Sequence, residues 1–579
     1  MLDIIVIIAY LIVLILVSFF SYSKKYQNIF SSEKMIPWWI LGMSYFITNN
    51  DNINSLPKMG ILLEKGYSGL WIYYTAFLSA GIVPIIFAPM WGKLKFMTDN
   101  QFILFRFSGK SAKILHGFRA VYVGYLVVAL MISMYIVATT KLFAVFFQIE
   151  YNLAFGIVSL LALLIVFKNS FNVKVRTDVL NGAIFIITFI ISAFYIVHYA
   201  GGTKLVYHTL NTDFYEQTRL FPQEGFTNTF ETLPNILVFF LVQWWSINVL
   251  DGGGHEAQRF MTARTAKNAF KVAILPIIFI TIVFIFRSII YDAGILLHKT
   301  NSGLIPLSNG TADNEAYFVG LFANILPDGL HALAFIAFLV GFVTCYESFL
   351  NWGSGFVSVD FIHTYVKKQA NEKQKVLHSY LVMFIITITA LIIAYYNQYM
   401  LGLQKFIFSM AAGVGPVFIL RWFWWRINAW SQLSAMLSSL IYTVCFDLLY
   451  KYSVGFHNSF DNLLAQWNFS YYPLKLIILT FLVTLTWLSV TFLTKPDNKE
   501  HLKKYVEKVK PSGWWPKGFV ARKGISSNKL LLLFIYALVS ILPFIFVWVF
   551  KFYSINFAFM LVGFWLISIW TIIKKTVQR

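Results

Sequence analysis

The sequence predicts an all-α polytopic membrane protein whose central helices form two inverted five-helix halves. Of the 579 residues, 58% are hydrophobic and only 12% are charged, and the mean hydropathy is +0.68. Soluble domains carry about 25% charged residues. Apolar runs of about 20 residues, long enough to cross a hydrocarbon core, recur along the whole chain. Two of these runs are interrupted by polar residues, and these interruptions predict the two halves.

The apolar runs predict about 15 membrane spans. Their ranges are 3–21, 36–59, 70–92, 117–147, 152–168, 177–199, 232–251, 270–291, 329–357, 378–397, 403–421, 428–449, 472–494, 529–550 and 554–574. The first run begins with Asp3 instead of a basic segment and has no small-residue cleavage site before Lys24. We therefore expect it to be a retained helix and not a signal peptide.

The basic residues are distributed unevenly between the two sides of the predicted topology. About 34 of the 46 Lys and Arg residues fall in loops on one side and about 7 on the other. Cytoplasmic loops carry such an excess, so we expect the N-terminus outside, the C-terminus in the cytoplasm and the chain in the cell inner membrane. Basic loops facing an anionic lipid bilayer account for the net charge of +21 without nucleic-acid binding.

Residues 48–58, Thr-Asn-Asn-Asp-Asn-Ile-Asn-Ser-Leu-Pro-Lys, interrupt the second predicted span. Lipid cannot satisfy these polar groups, so they must face protein or a water-filled cavity. Asn and Asp favour local bonds to the backbone, and Pro57 removes a backbone donor. We expect the helix to unwind here; the alternative is a polar loop wrongly merged into a span.

A second interruption follows five spans later, where 243–248 read Gln-Trp-Trp-Ser-Ile-Asn and 251–254 read Asp-Gly-Gly-Gly. The two interrupted spans run in opposite directions in the predicted topology. Interrupted helices at corresponding places in opposed halves predict an inverted repeat with a binding site near the midplane. The predicted segments are 1–22 (extra N-terminal helix), 36–200 (first repeat), 232–421 (second repeat) and 428–579 (extra C-terminal helices, with a basic inner loop at 495–528).

Four segments carry recognisable motifs. They are RTDVLN at 176–181, GGGHEAQR at 252–259, SFLNWGSGFVSVD at 348–360 and LRWFWWRINAW at 420–430. The first three resemble, in order, the start of the fifth core helix, the stretch after the sixth and the eighth core helix of the sodium:solute symporter family (SSS/SSF). The fourth is similar to a run after the tenth core helix in a bacterial branch of that family. The second segment also resembles a GGG-x-x-AQR-like motif of the same branch.

This resemblance covers roughly residues 1–495. It implies a LeuT-like 5+5 inverted repeat with one extra N-terminal and four extra C-terminal helices. It also implies a secondary active transporter that couples sodium to the uptake of a small organic solute by alternating access.

The resemblance further implies a sodium site between the first and eighth core helices. The corresponding positions here are Asn50, Ile53, Gly341, Thr344 and Cys345. Sodium prefers hard oxygen ligands, which backbone carbonyls and hydroxyls supply. Cys345 stands where the family usually has Ser or Thr, and a thiol is a soft ligand. A proton-coupled or uncoupled carrier on the same fold therefore remains an alternative.

Two acids are expected on the ion path or at a second ion site. Asp51 lies within the first interruption and could bind a cation or carry a proton; its alternative role is a salt bridge with Lys58. Asp178 matches the acid that the family has near the inner mouth, and its alternative role is to cap the sixth predicted span.

The solute is expected to bind between the two interrupted helices, by stacking on aromatic rings and by hydrogen bonds to polar side chains. Packing or internal pairing is the alternative role for these side chains. The candidate residues are Asn54, Ser55, Lys58, Gln243, Trp244, Trp245, Asn248 and Asp251.

Other function classes are not favoured. A membrane enzyme needs a cluster of His, acids or metal ligands, whereas the ten His residues are scattered and no HExxH, GxSxG or P-loop occurs. Cys345 and Cys445 form no disulfide framework. A transporter-like sensor would need a signalling domain, which we do not expect outside the spans. The expected partners are a small solute, Na⁺ and the lipid bilayer, with no other cofactor and no obligate protein partner.

Overall fold

In a computed structural model, the described part of the chain folds almost entirely into helices. The structure describes residues 2–3, 5–10, 12, 36–49, 53–166, 171–219, 232–246, 251–308, 311–511, 513–516 and 519. The all-helical prediction is confirmed. The sole exception in these ranges is a small antiparallel hairpin of β1 (Leu307–Ser308) and β2 (Thr311–Ala312).

The described residues between 2 and 12 are all helical, and twelve further helices precede residue 220 in the described ranges. They are α1 (Trp38–Asn49), α2 (Leu56–Gly69), α3 (Trp71–Tyr74), α4 (Ala76–Ile82), α5 (Ala88–Gly92), α6 (Gln101–Arg106), α7 (Gly109–Val121), α8 (Val128–Phe147), α9 (Tyr151–Val166), α10 (Phe171–Tyr199), α11 (Gly202–Thr212) and α12 (Tyr215–Thr218). A 3₁₀ turn, Ile53–Ser55, leads into α2. Two π-helical turns, Val83–Phe87 and Tyr122–Val127, join α4 to α5 and α7 to α8.

Thirteen further helices follow residue 232 in the described ranges. They are α13 (Leu233–Val238), α14 (Trp244–Ser246), α15 (His255–Thr262), α16 (Ala266–Thr300), α17 (Tyr317–Ile325), α18 (Leu330–Gly355), α19 (Glu372–Tyr396), α20 (Met400–Ala412), α21 (Gly415–Phe423), α22 (Ala429–Tyr452), α23 (Val454–Trp467), α24 (Tyr471–Leu493) and α25 (Lys499–Val509). The π-helical turn Phe239–Gln243 joins α13 to α14, the 3₁₀ turn Ser302–Leu304 follows α16, and the π-helical segment Phe356–Val366 extends α18.

The described ranges contain seven helices that are long and apolar enough to cross a membrane, or eight if the bent pair α20 and α21 is one span. Three shorter apolar helices accompany them. The remaining predicted spans divide into three groups. The span at 152–168 is a single shorter helix, and others consist of several short helices. The spans at 529–550 and 554–574, with most of 3–21, lie outside the described residues. The count of 15 spans therefore stays a prediction.

The first predicted interruption coincides with a boundary between helices. α1 ends at Asn49, and the chain resumes at Ile53 as a single 3₁₀ turn before α2 begins with Pro57 in its first turn. Proline suits this position because the first backbone N–H groups of a helix have no intrahelical acceptor. Asn50 and Asp51 lie outside the described residues.

The second predicted interruption is also a helix boundary. α14 ends at Ser246, and α15 begins at His255 after Gly252 and Gly254, both with positive φ. A Cβ atom on Gly254 would come within 3.0 Å of the Trp352 ring, so the close approach of α15 to α18 also requires glycine there. Asn248 lies outside the described residues.

Long helices surround the first interrupted helix. α1 packs against α16 and α10, and α10 packs in turn against α18. Gly42 lies against Leu275 and Gly294 against Met59, so α1 and α2 follow α16 from one end to the other. Among the described polar residues at the interruption, Thr48 and Ser55 are buried, and Asn49, Asn54 and Lys58 are half-buried.

Candidate functional site

A cavity of about 450 Å³ lies beside both interrupted helices. This volume is within the range of small-ligand sites. Aromatic rings form much of its wall, including those of Tyr45, Tyr73, Tyr135, Trp245, Phe349 and Trp352. Polar and charged side chains reach it from several helices: Asn49, Asn54, Lys58, Glu256, Arg287 and Gln404. The cavity thus combines flat apolar surfaces with hydrogen-bonding groups of both kinds.

Asn54 is at the centre of a hydrogen-bond network on the cavity wall. Its Nδ2 donates to the Tyr135 hydroxyl over 3.0 Å, and its Oδ1 accepts from Gln404 Nε2 over 3.3 Å. The Tyr73 hydroxyl donates to Gln404 Oε1. The sequence predicts Asn54 alone; the other three residues belong to α3, α8 and α20 and reach it only through the fold.

Lys58 and Trp245, two further predicted solute ligands, also line the cavity. The Lys58 ammonium lies 5.2 Å from the centre of the Tyr73 ring, a cation–π contact. The Trp245 indole N–H donates to the carbonyl oxygen of Ala412 over 2.8 Å, which orients its ring along the cavity.

Four other predicted solute ligands do not line the cavity. Trp244 packs edge-on against Trp245 at 5.4 Å, and Gln243 is buried and accepts a 2.8 Å hydrogen bond from Tyr472. Ser55, the last residue of the 3₁₀ turn, is buried. Asp251 is wholly buried: its carboxylate accepts from the Arg421 guanidinium and, over 2.7 Å, from the Trp422 indole. The geometry therefore favours a structural role for these residues.

The described part of the predicted sodium site lies where α1 meets α18. Ile53, Gly341, Thr344 and Cys345 are all buried. The Cys345 thiol donates to the carbonyl oxygen of Thr48 over 3.1 Å, in the last turn of α1. Thr344 Oγ1 accepts from the side-chain amide of Asn181 over 3.3 Å. Cys345 therefore contacts the end of α1, whereas Thr344 contacts α10.

Asp178 lies on α10 in the same buried region. Its Oδ2 accepts from Lys174 Nζ and from Ser44 Oγ, both at 2.5 Å. The helix begins at Phe171, so Asp178 is in its third turn and does not cap the helix. The sequence does not assign Lys174, although a lysine four residues before an acid on a helix is a recognisable pair.

Arg259 connects α15 to this region. Its guanidinium donates to Ser44 Oγ over 3.0 Å, to Thr48 Oγ1 over 2.8 Å and to Ser348 Oγ over 3.3 Å. The side chain is 1% exposed. One arginine therefore joins both interrupted helices to α18, a role that the GGGHEAQR motif alone does not reveal.

Two polar contacts join helices around the cavity. The Tyr45 hydroxyl of α1 donates to Glu256 of α15 over 2.9 Å, and both residues line the cavity. Lys141 of α8, outside the cavity lining, forms ion pairs with Asp313 at 3.0 Å and Glu315 at 2.7 Å. Glu315 also accepts from the backbone N–H groups that begin α20, at 3.2 and 2.9 Å.

A sequence model of the sodium:solute symporter family matches residues 29–439, which is most of the chain. The chain belongs to the sodium:solute symporter family. It is therefore a multi-pass membrane transporter and not an enzyme.

Individual relatives are distant. The sodium/sialic acid symporter SiaT of Proteus mirabilis is 22% identical over 455 residues, covering 75% of this chain and 87% of that protein. A solved structure described as the substrate-bound outward-open state of a Na⁺-coupled sialic acid symporter matches with a TM-score of 0.68 and 18% identity, over 86% of this chain and 99% of that one. Mhp1, a nucleobase-cation-symport-1 family transporter, matches at a TM-score of 0.44 and 11% identity, over 82% and 96%. The similarity to the sialic acid symporter structure shows that this chain has the same fold.

Proposed function

We propose that this protein is a sodium-coupled symporter that carries a small organic solute across the cell inner membrane by alternating access. The observation that carries the proposal is the position of the first interruption. On one side of it, Asn54 lines the cavity. On the other side, the Thr48 carbonyl at the end of α1 accepts a hydrogen bond from Cys345 of α18, the helix that also carries Thr344. Ion binding and solute binding would therefore act on the same segment, which is what coupling between the two requires.

In this proposal, sodium binds between α1 and α18. Asn50, Ile53 and Gly341 supply backbone carbonyl oxygens, Thr344 supplies a hydroxyl, and Cys345 stands at the fifth position. Asp51 lies on the ion path, and Asp178 stands at a second ion position beside the sodium site. Sodium steadies the unwound segment, so that the solute binds more tightly, and the solute strengthens sodium binding by linkage.

The proposed architecture is an inverted repeat of 36–200 and 232–421, flanked by 1–22 and 428–579. With the N-terminus outside and the C-terminus in the cytoplasm, the Lys141–Glu315 contact closes the outer end and the Tyr45–Glu256 contact closes the inner end. Alternating access would open one contact while the other stays closed.

We propose that the solute is a small polar molecule with several hydrogen-bonding groups. Asn54, Gln404 and Tyr135 offer donors and acceptors, Trp245 offers a flat ring, and Lys58 offers a positive charge. Since a sodium/sialic acid symporter is similar to this chain, sialic acid and other acidic sugars are the first solutes to test.

A thermal-shift screen of the purified protein against a solute library, with Na⁺ or K⁺ at equal ionic strength, tests the proposal. A ligand raises the unfolding temperature by mass action. We expect at least one polar solute to stabilise the protein more in Na⁺ than in K⁺ and to be taken up by proteoliposomes under an inward Na⁺ gradient. Solute stabilisation and uptake that are equal in both salts would contradict sodium coupling.

A further inference from the structure

Beside the proposed sodium site lies a second cluster of hard oxygen atoms. It consists of the Asp178 carboxylate and the hydroxyls of Ser44, Thr48 and Ser348, contributed by α1, α10 and α18. All four side chains are buried, and Thr48 Oγ1 and Ser348 Oγ are 3.5 Å apart. Carboxylate and hydroxyl oxygens are the ligands that hard cations prefer. By composition alone, this cluster is suited to a second sodium ion.

The cluster already holds two cations of the chain itself. The Lys174 ammonium lies 2.5 Å from Asp178 Oδ2. The Arg259 guanidinium donates to all three hydroxyls. Both cationic side chains are at most 2% exposed. Every oxygen-bearing group of the cluster is thus bonded to a positive charge that cannot leave.

Other charged side chains lie near the cluster. Arg259 and the acid Glu347 of α18 are both near enough to Asp178 to interact with it electrostatically. Glu256, the remaining acid near Arg259, lines the cavity and accepts the hydrogen bond of Tyr45. A sodium ion on Asp178 would stand about 4 Å from the ammonium, and at an effective dielectric constant near 20 that repulsion lowers its affinity roughly a thousandfold.

We propose that Lys174 is the residue that sets the ion stoichiometry: it occupies Asp178 as a tethered cation, so that the protein binds one exchangeable sodium ion and not two. This proposal rests on the proposed function, because it presupposes a sodium site between α1 and α18. Mutation of Lys174 should reverse this occupancy. Asp178 Oδ1 is buried and has no hydrogen-bond partner among the described residues. Without the ammonium, the carboxylate would keep the hydrogen bond from Ser44 to Oδ2 and could accept a sodium ion.

Equilibrium binding of ²²Na⁺ to the purified full-length protein tests the proposal without any solute. We expect one ion per wild-type protein and two per Lys174→Gln protein. Lys174→Arg keeps the charge and should bind one ion. Arg176→Gln, which removes an exposed charge from the same helix, should also bind one. In the double variant Lys174→Gln/Asp178→Asn the second ion should be lost again.

Asp178→Asn in the otherwise native chain provides a test that does not depend on the folding of Lys174→Gln. Because Asp178 holds no sodium in the proposal, this variant should still bind one ion at saturating Na⁺, with a weaker affinity because Lys174 and Arg259 lose their counter-charge. Two ions bound to the wild type, or the loss of an ion in Asp178→Asn, would overturn the role of Lys174 and leave sodium coupling intact. A single ion bound to a folded Lys174→Gln protein would overturn it as well. No sodium bound to any variant would instead refute the proposed coupling ion, and with it this inference.

Discussion

The Cys345 thiol of α18 donates a hydrogen bond to the carbonyl oxygen of Thr48, 3.1 Å away in the last turn of α1. This contact joins the two helices between which the sodium site is proposed. It places a soft sulfur atom where an oxygen would bind sodium better. The contact therefore suggests that sodium affinity in this protein is held below what a hydroxyl at the same position would allow.

We expect Cys345→Ser to strengthen sodium binding. The hydroxyl is a harder ligand and retains a donor for Thr48, and the gain should be about three- to tenfold in the sodium concentration for half-maximal thermal stabilisation. Cys445→Ser, at the exposed cysteine, is the matched control. Equal changes in both variants, or none in Cys345→Ser, would argue against a position beside the ion.

Asn54→Ala and Gln404→Ala should each weaken solute binding about tenfold, because each removes one partner from a hydrogen-bonded pair on the cavity wall. Since the two residues bond to each other, the double variant should lose less than the product of the single losses. The solute concentration for half-maximal stabilisation measures both effects. Asn211→Ala, on α11 and outside the cavity wall, should leave it unchanged, and full additivity of the pair would show that the network does not act as a unit.

Lys141→Met should lower stability substantially. It leaves Asp313 and Glu315 without their shared cation in a largely buried setting, and the loss of one partner of a buried pair costs about 3–5 kcal/mol. Adding Glu315→Gln should recover part of the loss in thermal unfolding temperature. Lys375→Met, which breaks a mostly exposed pair with Glu372, should cost about 0–1 kcal/mol. Similar losses in the two lysine variants would mean that the Lys141 cluster is not closed to water.

Asp251→Asn distinguishes a solute ligand from a structural anchor. Since the Asp251 carboxylate is paired with Arg421 away from the cavity, we expect a stability loss of about 3 kcal/mol with solute affinity in the folded protein unchanged within about twofold. Thermal unfolding and solute titration on the same sample separate the two effects. Normal stability with a large loss of solute affinity would restore Asp251 to the binding site.

The sequence located the interruptions well because their cause is local. Residues 48–58 place several backbone-competing side chains and a proline within one apolar run, and helix α1 does end at Asn49. The pair Lys174 and Asp178 is local too, and its spacing of four residues makes it predictable.

The remainder of the site depends on contacts between residues far apart in the chain. Asp251 meets Arg421 across 170 positions and Asn54 meets Gln404 across 350, and no periodicity or motif encodes such partners. Polar residues next to an interruption therefore look alike in the sequence. The turn at Gly252 and Gly254 directs Asp251 into an ion pair, whereas the 3₁₀ turn directs Asn54 into the cavity.

The most direct test of the central claim compares thermal unfolding of the wild type and of Thr344→Ala during titration with NaCl, with KCl keeping the ionic strength constant. If sodium binds between α1 and α18, the wild type should be stabilised progressively by Na⁺, and Thr344→Ala should need about tenfold more Na⁺ for the same shift, because it loses one hydroxyl ligand. Stabilisation by Na⁺ that is identical in both proteins, or absent from the wild type, would contradict the account.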